Sequence, residues 1–158
     1  MEINYLALLL SALSTLVVGF IWYNPKVFGT IWMNETGMTE EKAKNSNMIK
    51  VFGLTIFYSL ILAFMIPTIV NHEIGAVQAA GGNAQDPALI EFLKVHHGKF
   101  LSFKHGALHG ILFGIFFVLP ITAINSLFEQ KSWKYILITA GYWIVSFAIM
   151  GAILCGWQ

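Results

Sequence analysis

Charge is scarce in this chain. Of its 158 residues only 11% are charged, arginine is absent, and nine lysines face eight acidic residues for a net +1. Soluble domains carry about 25% charged residues. With 57% hydrophobic residues there is too little polar surface to dress a water-facing globule, so an integral membrane protein in one domain is expected. The balanced charge leaves no basic stripe for nucleic acid, and no arginine platform interleaved with aromatics exists. A single cysteine, Cys155, excludes an internal disulfide and any cysteine-built zinc or iron–sulfur cage. It lies in an apolar run without a neighbouring base, so packing is its expected role. Also missing are a carboxylate pair within the apolar runs, a Ser–His–Asp set, a phosphate-cradling glycine loop and an HExxH motif. Glu129 beside Lys131 reads as a solvated interfacial pair rather than an acid or base. The expectation is a non-enzymatic protein.

Four long apolar runs are present: residues 3–23, 51–70, 106–124 and 135–154. Each matches a hydrocarbon core of about 30 Å when helical. The last three hold no Asp, Glu, Lys or Arg. Lipid leaves the backbone no other way to satisfy its polar groups, so each run is a transmembrane helix. The first lacks a positive n-region and an A-x-A cleavage site, which makes it a retained helix rather than a secretory signal. Pro67 and Pro120 fall near the ends of their runs, where a kink is tolerated. No internal repeat of 20–50 residues is visible. The fold class is therefore all-α: a four-helix transmembrane bundle.

Lysine placement sets the orientation. Lys26, Lys42, Lys44, Lys50, Lys131 and Lys134 lie in the first and third connections; only Lys94, Lys99 and Lys104 lie in the second. The positive-inside rule then puts both termini outside a bacterial cytoplasmic (inner) membrane. Trp22, Tyr23, Trp133 and Tyr135 form an inner aromatic belt, and Tyr5 and Trp157 an outer one. Within the inner segment 24–50, Val27, Phe28, Ile31 and Trp32 recur at helical spacing, and Thr39 caps "TEEKAKN" with Glu40 and Glu41 in the first turn. A short interfacial piece and then a helix leading into the second span are expected. The outer segment 71–103 passes through a flexible "AAGGNAQ" before an amphipathic helix at 87–97, with Asp86 as N-cap, Pro87 at N1 and Gly98 past the end. Leu89, Ile90, Leu93 and His97 share a face, so this short helix lies on the outer surface or caps the bundle.

"WYNPKVFGTIWM" (22–33) resembles the W-Y-x-P-x-x-F-G-x-x-W-M signature of a family of small bacterial membrane proteins known only as a domain of unknown function. "LFEQKSWKYILITAGYWIVSFAIMGAIL" (127–154) is similar to that family's C-terminal half, L-F-E-x-K/R, then G-Y, then M-G. The likeness covers roughly half the chain and implies four spanning helices and no assigned activity. Segment 71–103, longer and richer in histidine than the family leads one to expect, borrows no role from it.

Two features of "HGALHGILFG" (105–114) invite chemistry or packing. Gly106, Gly110 and Gly114 form a helix stripe about 80° wide, and glycine at this spacing lets another helix approach to backbone contact. Ala7, Ser11, Thr15 and Gly19 in the first run, and Ala148, Ala152 and Gly156 in the fourth, offer counterparts. Three such ridges point to a tight bundle or a defined oligomer. All five histidines fall on the outer side. His105 and His109, four apart on one face, are candidate ligands for a divalent transition metal, with His96, His97, His72 or Glu73 completing the set. Such a site needs neutral imidazoles, so affinity falls as pH drops below about 6.5. The plainer reading is that interfacial histidines hydrogen-bond water and headgroups. Bis-histidine haem needs ligands from opposed helices, and only one well-placed helix is evident. Thr139, Tyr142, Trp143 and Ser146 read more plainly as inter-helix hydrogen bonding than as a polar pocket.

The expected function is association in the membrane, as a homo-oligomer or an accessory subunit of a larger assembly, without a cofactor. Partners are then lipids, a second copy or other membrane subunits, and Trp22, Tyr23, Pro25, Phe28, Trp32 and Trp133 form the partner or lipid surface. The alternatives are a metal sensor or carrier built on the outer histidines, and a small transporter or channel. The last is disfavoured because His109 is the only ionisable group at depth. The orientation is testable directly. Cysteines placed at Asn45 and Asn83 should label from opposite faces, Asn83 from outside; external labelling of Asn45 would reverse the topology.

Overall fold

The computed structural model of the protein describes residues 3–158, which are helical and without a strand. Ten α-helices follow in order: α1 (Tyr5–Trp22), α2 (Thr30–Thr36), α3 (Glu40–Lys44), α4 (Met48–Met65), α5 (Pro67–Val70), α6 (His72–Ala79), α7 (Pro87–His96), α8 (Phe103–Phe113), α9 (Leu119–Phe128) and α10 (Trp133–Gly156). Four stretches are long and apolar enough to cross a membrane: Tyr5–Trp22, Met48–Val70, Phe103–Phe128 and Trp133–Gly156. The protein is a multi-pass membrane protein.

Each span opens on a short polar side chain. Asn4 Oδ1 accepts from the Ala7 N–H (2.9 Å), Asn47 Oδ1 from Lys50 (3.0 Å), Ser102 Oγ from His105 (3.2 Å) and Ser132 Oγ from Tyr135 (3.2 Å). These caps satisfy amides that the first helical turn leaves unbonded, and they move the starts of spans two and three to Met48 and Phe103. The third span also runs on to Phe128, so Pro120 sits inside it rather than near its end. Proline cannot donate to the helix ladder. The chain absorbs this in a wider π turn at Gly114–Val118, where the Leu119 N–H reaches back to the Gly114 carbonyl. At Pro67 the helix breaks at Ile66, and α5 continues for one turn.

α10 is the axis of the bundle. It packs along α8 and across α1, while α4 packs on α1. A glycine seam makes the α8–α10 contact possible. A Cβ on Gly106 would overlap the Gly151 carbonyl oxygen and come within 2.5 Å of Cys155 Cβ. One on Gly110 would overlap the Phe147 carbonyl and lie 2.9 Å from Ala148 Cα, and one on Gly114 would lie 2.8 Å from Ile144 Cα. Gly156 faces the Phe103 ring, and Ala152 is half-buried. The facing ridge on α10 therefore runs Ile144, Phe147/Ala148, Gly151, Cys155. The small residues of α1 face inward too: Ala7, Ser11 and Thr15 are buried. Thr15 Oγ1 meets Ser59 Oγ of α4 at 2.9 Å, and Tyr142 OH of α10 donates to the Thr15 carbonyl (3.2 Å). Gly19 lies beside the Tyr142 ring. Where the sequence left bundle and oligomer open, these ridges close one chain.

The core lies toward the end that carries both termini: Ala7, Ala12, Ala63, Ile66, Val70, Phe147, Met150, Leu154 and Cys155. Cys155 Sγ is buried and lies 3.4 Å from both the Val70 and the Phe100 carbonyl oxygens. Between α1 and α4, the expected short interfacial piece and following helix correspond to the π turn with α2 and to α3, but α3 does not run on into the second span. Thr39 Oγ1 does cap α3, accepting from Lys42 N–H (3.2 Å), but α3 stops at Lys44 and Asn47 starts α4 afresh.

Replacing Gly110 tests the seam. Gly110→Ala puts a methyl against the Phe147 carbonyl and Gly110→Leu a whole side chain, so both should destabilise the protein. Overpacking of this kind costs about 1–3 kcal/mol, and leucine should be the worse of the two. Thermal unfolding in detergent measures it, and an unchanged melting temperature in the Leu variant would remove the seam.

Candidate functional sites at the two membrane ends

At the end opposite the termini, the "WYNPKVFGTIWM" segment folds onto α10. Asn24 caps the turn by accepting from the Lys26 N–H through Oδ1 (2.9 Å), and its carbonyl accepts from Gly29 N–H five residues on (2.9 Å), closing a π turn over Pro25–Gly29. Pro25, at the first position, has no N–H to lose. Gly29 must be glycine, because a Cβ there would overlap the Tyr23 carbonyl. The turn brings the aromatics together: Trp22 with Phe28 (ring centroids 4.6 Å apart), Tyr23 with Trp32 (5.2 Å) and Tyr23 with Tyr142 (5.3 Å). Trp22 Nε1–H donates to the Ile138 carbonyl at 3.0 Å, and its ring fills the space above Gly141. Trp22, Tyr23, Phe28 and Trp32 are half-buried by these contacts, whereas Pro25 and Trp133 stay exposed. Tyr142 and Trp143 line a side groove of about 570 Å³ between α1 and α4, together with Thr15, Phe20 and Phe52. Thr139 and Ser146 are not in its lining; the Thr139 hydroxyl oxygen is buried without a hydrogen-bond partner among the described residues.

At the end carrying the termini, three histidines converge. His105 and His109 stand on successive turns of α8 with ring centroids 4.4 Å apart. His72, the first residue of α6, brings its ring to 5.0 Å from His105 and 5.2 Å from His109. The Nε2 atoms of His72 and His105 are 3.0 Å apart, so in the metal-free pair one nitrogen carries the proton and the other accepts it. One ring nitrogen from each of the three lies within 4.8 Å of the others. Phe100 flanks the cluster, its ring 5.4 Å from His72 and 5.2 Å from His105.

The remaining candidates go elsewhere. Glu73 is only 6% exposed, and both its oxygens are engaged: Oε2 with His97 Nδ1 (3.1 Å), Oε1 with the Gly98 N–H (2.6 Å). It pins the end of α7 to the start of α6. His96 lies against Phe92, the two rings tilted with centroids 4.7 Å apart, and lines a cavity of about 460 Å³ together with His72 and Phe100. Sequence spacing had paired His105 with His109, but the third member needed α6. That helix, capped by Asn71 Oδ1 accepting from Glu73 N–H (2.9 Å), occupies part of a stretch with no strong apolar period.

Helix α4 presents an unusual face. Opposite Ser59 and Ala63, it turns Leu54, Phe57, Tyr58, Ile61, Phe64 and Met65 outward. Tyr58, 59% exposed, stands at the middle of the span Met48–Val70. Its ring touches Phe57 (5.4 Å), but its hydroxyl has no hydrogen-bond partner among the described residues.

Fold and sites together define a small four-helix membrane protein with three histidines gathered at the end of the bundle that carries the termini. Residues 6–155 match the model of the family described as Protein of unknown function (DUF1761), and the chain belongs to that family. The matched range takes in both 22–33 and 127–154, and also 71–103. No curated protein and no solved structure matches the chain. The aromatic clamp can be tested at its hydrogen bond: Trp22→Phe keeps a ring but loses the indole N–H and part of the packing on Gly141. It should destabilise the protein by about 1 kcal/mol or slightly more, read as a lowered melting temperature. Wild-type stability in that variant would detach the segment from α10.

Proposed function

We propose that this protein works by lateral association in the bacterial cytoplasmic membrane, as a homodimer joined through α4, with both termini outside. The observation that carries the reading is the Tyr58 hydroxyl, exposed at mid-span without a partner among the described residues. About 15 Å of hydrocarbon separates the midplane of a bilayer from either interface, farther than a tyrosine side chain extends. A hydroxyl left unpaired in an apolar medium is unfavourable by a few kcal/mol, and a second helix is the available source of a partner. A second copy supplies one without any new chemistry, because a phenol both donates and accepts, and a twofold interface sets the same residue against itself. Gly53, with open space around it, sits at one edge of the same exposed arc and permits close approach.

Alternative surfaces are less free. The glycine seam and the aromatic segment are both engaged within the chain, and α10 has little face left to offer. Association here concerns α4 and the lipid around it.

Interhelical hydrogen bonds in membranes contribute about 0.6–2 kcal/mol, so Tyr58→Phe should weaken the dimer roughly 3- to 30-fold, measured by concentration-dependent energy transfer in lipid vesicles. Tyr58→Cys should cross-link to itself under mild oxidation in native membranes. A wild-type protein that remains monomeric at high protein-to-lipid ratio would overturn the reading. So would Tyr58→Cys cross-linking only to a different protein.

A further inference from the structure

We propose that His72, His105 and His109 bind one divalent transition-metal ion of the zinc or copper(II) type, through three imidazoles, with a fourth position open to water. The inference goes beyond association and is independent of it. Three ring nitrogens from two helices lie within 4.8 Å of one another. Ligand nitrogens about 2.0–2.1 Å from a tetrahedral metal lie roughly 3.3 Å apart. The His72–His105 nitrogen pair, at 3.0 Å, is already close to that spacing, and His109 reaches it by side-chain rotation. Two of the ligands come from one rigid helix at i and i+4, so half of the geometry exists before any ion arrives.

His72 is held as firmly from the other side. Asn71 caps α6 through the Glu73 N–H, and Glu73 is buried and fastened to His97 and Gly98. The residue between them is therefore presented to α8 from a fixed backbone. The same contacts take Glu73 out of the ligand set, since one of its oxygens is engaged by His97 Nδ1 and the other by the Gly98 N–H, and His97, turned toward Glu73, is not among the three histidines whose ring nitrogens converge. Donor chemistry selects the metal. Neutral imidazoles without a carboxylate or thiolate suit zinc, copper(II) and nickel, and they do not suit magnesium or calcium. Because three protein ligands leave a tetrahedral ion one vacant position, the site resembles exchangeable rather than closed structural centres. Access is from water: His72 is exposed, and the cavity that it shares with His96 opens beside it.

The test uses the full-length protein in detergent, stripped with chelator and titrated with zinc sulfate and, separately, magnesium chloride. Calorimetry should report one zinc per chain and no magnesium. Cobalt(II) in place of zinc should give the intense visible bands of a tetrahedral ion. His105→Ala/His109→Ala should weaken zinc binding by more than ~100-fold, beyond the 10- to 100-fold that loss of an outer-shell group causes. His72→Ala alone should abolish the tetrahedral cobalt spectrum, while His96→Ala and His97→Ala leave the stoichiometry intact. Circular dichroism of each variant separates ligand loss from unfolding, and His105→Gln replaces any alanine variant that fails to fold. Wild-type protein that takes up no zinc, or His72→Ala protein that binds it as tightly as wild type, would overturn the site.

Discussion

Backbone-to-backbone contact between α8 and α10 is the constraint on which the rest of the bundle depends. In lipid, apolar side chains gain nothing by leaving one apolar medium for another, so helices associate through close packing and a few hydrogen bonds. Gly106, Gly110 and Gly114 remove every Cβ from the α8 side of the line of approach, and Gly151 removes the one on α10 that would face Gly106. With the two helices this close, their ends on the side of the termini are fixed relative to each other, and Cys155 fills the narrow space beside the Phe100 and Val70 carbonyls. The rim thus formed is where α6 docks and where His72 meets the two histidines of α8.

A second clamp closes the other end by different means. There the chain must leave α1, turn sharply and return across α10. It does so with a π turn whose residues each have a geometric reason: Asn24 to cap it, Pro25 to start it, Gly29 to pass the Tyr23 carbonyl. The aromatics beside the turn then become internal packing, with Trp22 bonded to the Ile138 carbonyl. Aromatic residues at a membrane boundary are usually read as anchors in the headgroup layer. Here their position along the membrane normal suits that role, while their contacts are intramolecular.

What remains for lipid and partners is largely the outer faces of α1, α4, α8 and α9. Along the third span the exposed face is mainly apolar, with Leu112 of α8, Phe116 and Phe117 of the π turn and Ile121 and Ile124 of α9 turned outward, and suits acyl chains. α4 differs by one atom, the Tyr58 hydroxyl. In a medium that offers no hydrogen bonds, one such atom distinguishes a lipid-facing surface from a joining one.

By itself the sequence determined the class of protein, the four spans and the pairing of His105 with His109. Hydrophobic length and the absence of charge act locally, residue by residue, and i, i+4 geometry is a property of any helix. Small-residue ridges were legible as packing surfaces for the same reason. Which ridge meets which was not, because Ile144, Phe147, Gly151 and Cys155 share a face on any helix and only the crossing with α8 selects that face over the line Ala148, Ala152 and Gly156. Span limits were misjudged at Met48, Phe103 and Phe128, where caps and the π turn before Pro120 extend helices past the apolar core. Glu73 and His97 were candidate ligands because residue type was the only information available; the burial of Glu73 and its bonds to His97 and Gly98 make the pair a strut. The third histidine lies more than thirty positions from His105 in the chain (72 against 105). Only tertiary structure could place it there, since no local rule specifies where a short helix after one span docks against the start of the next.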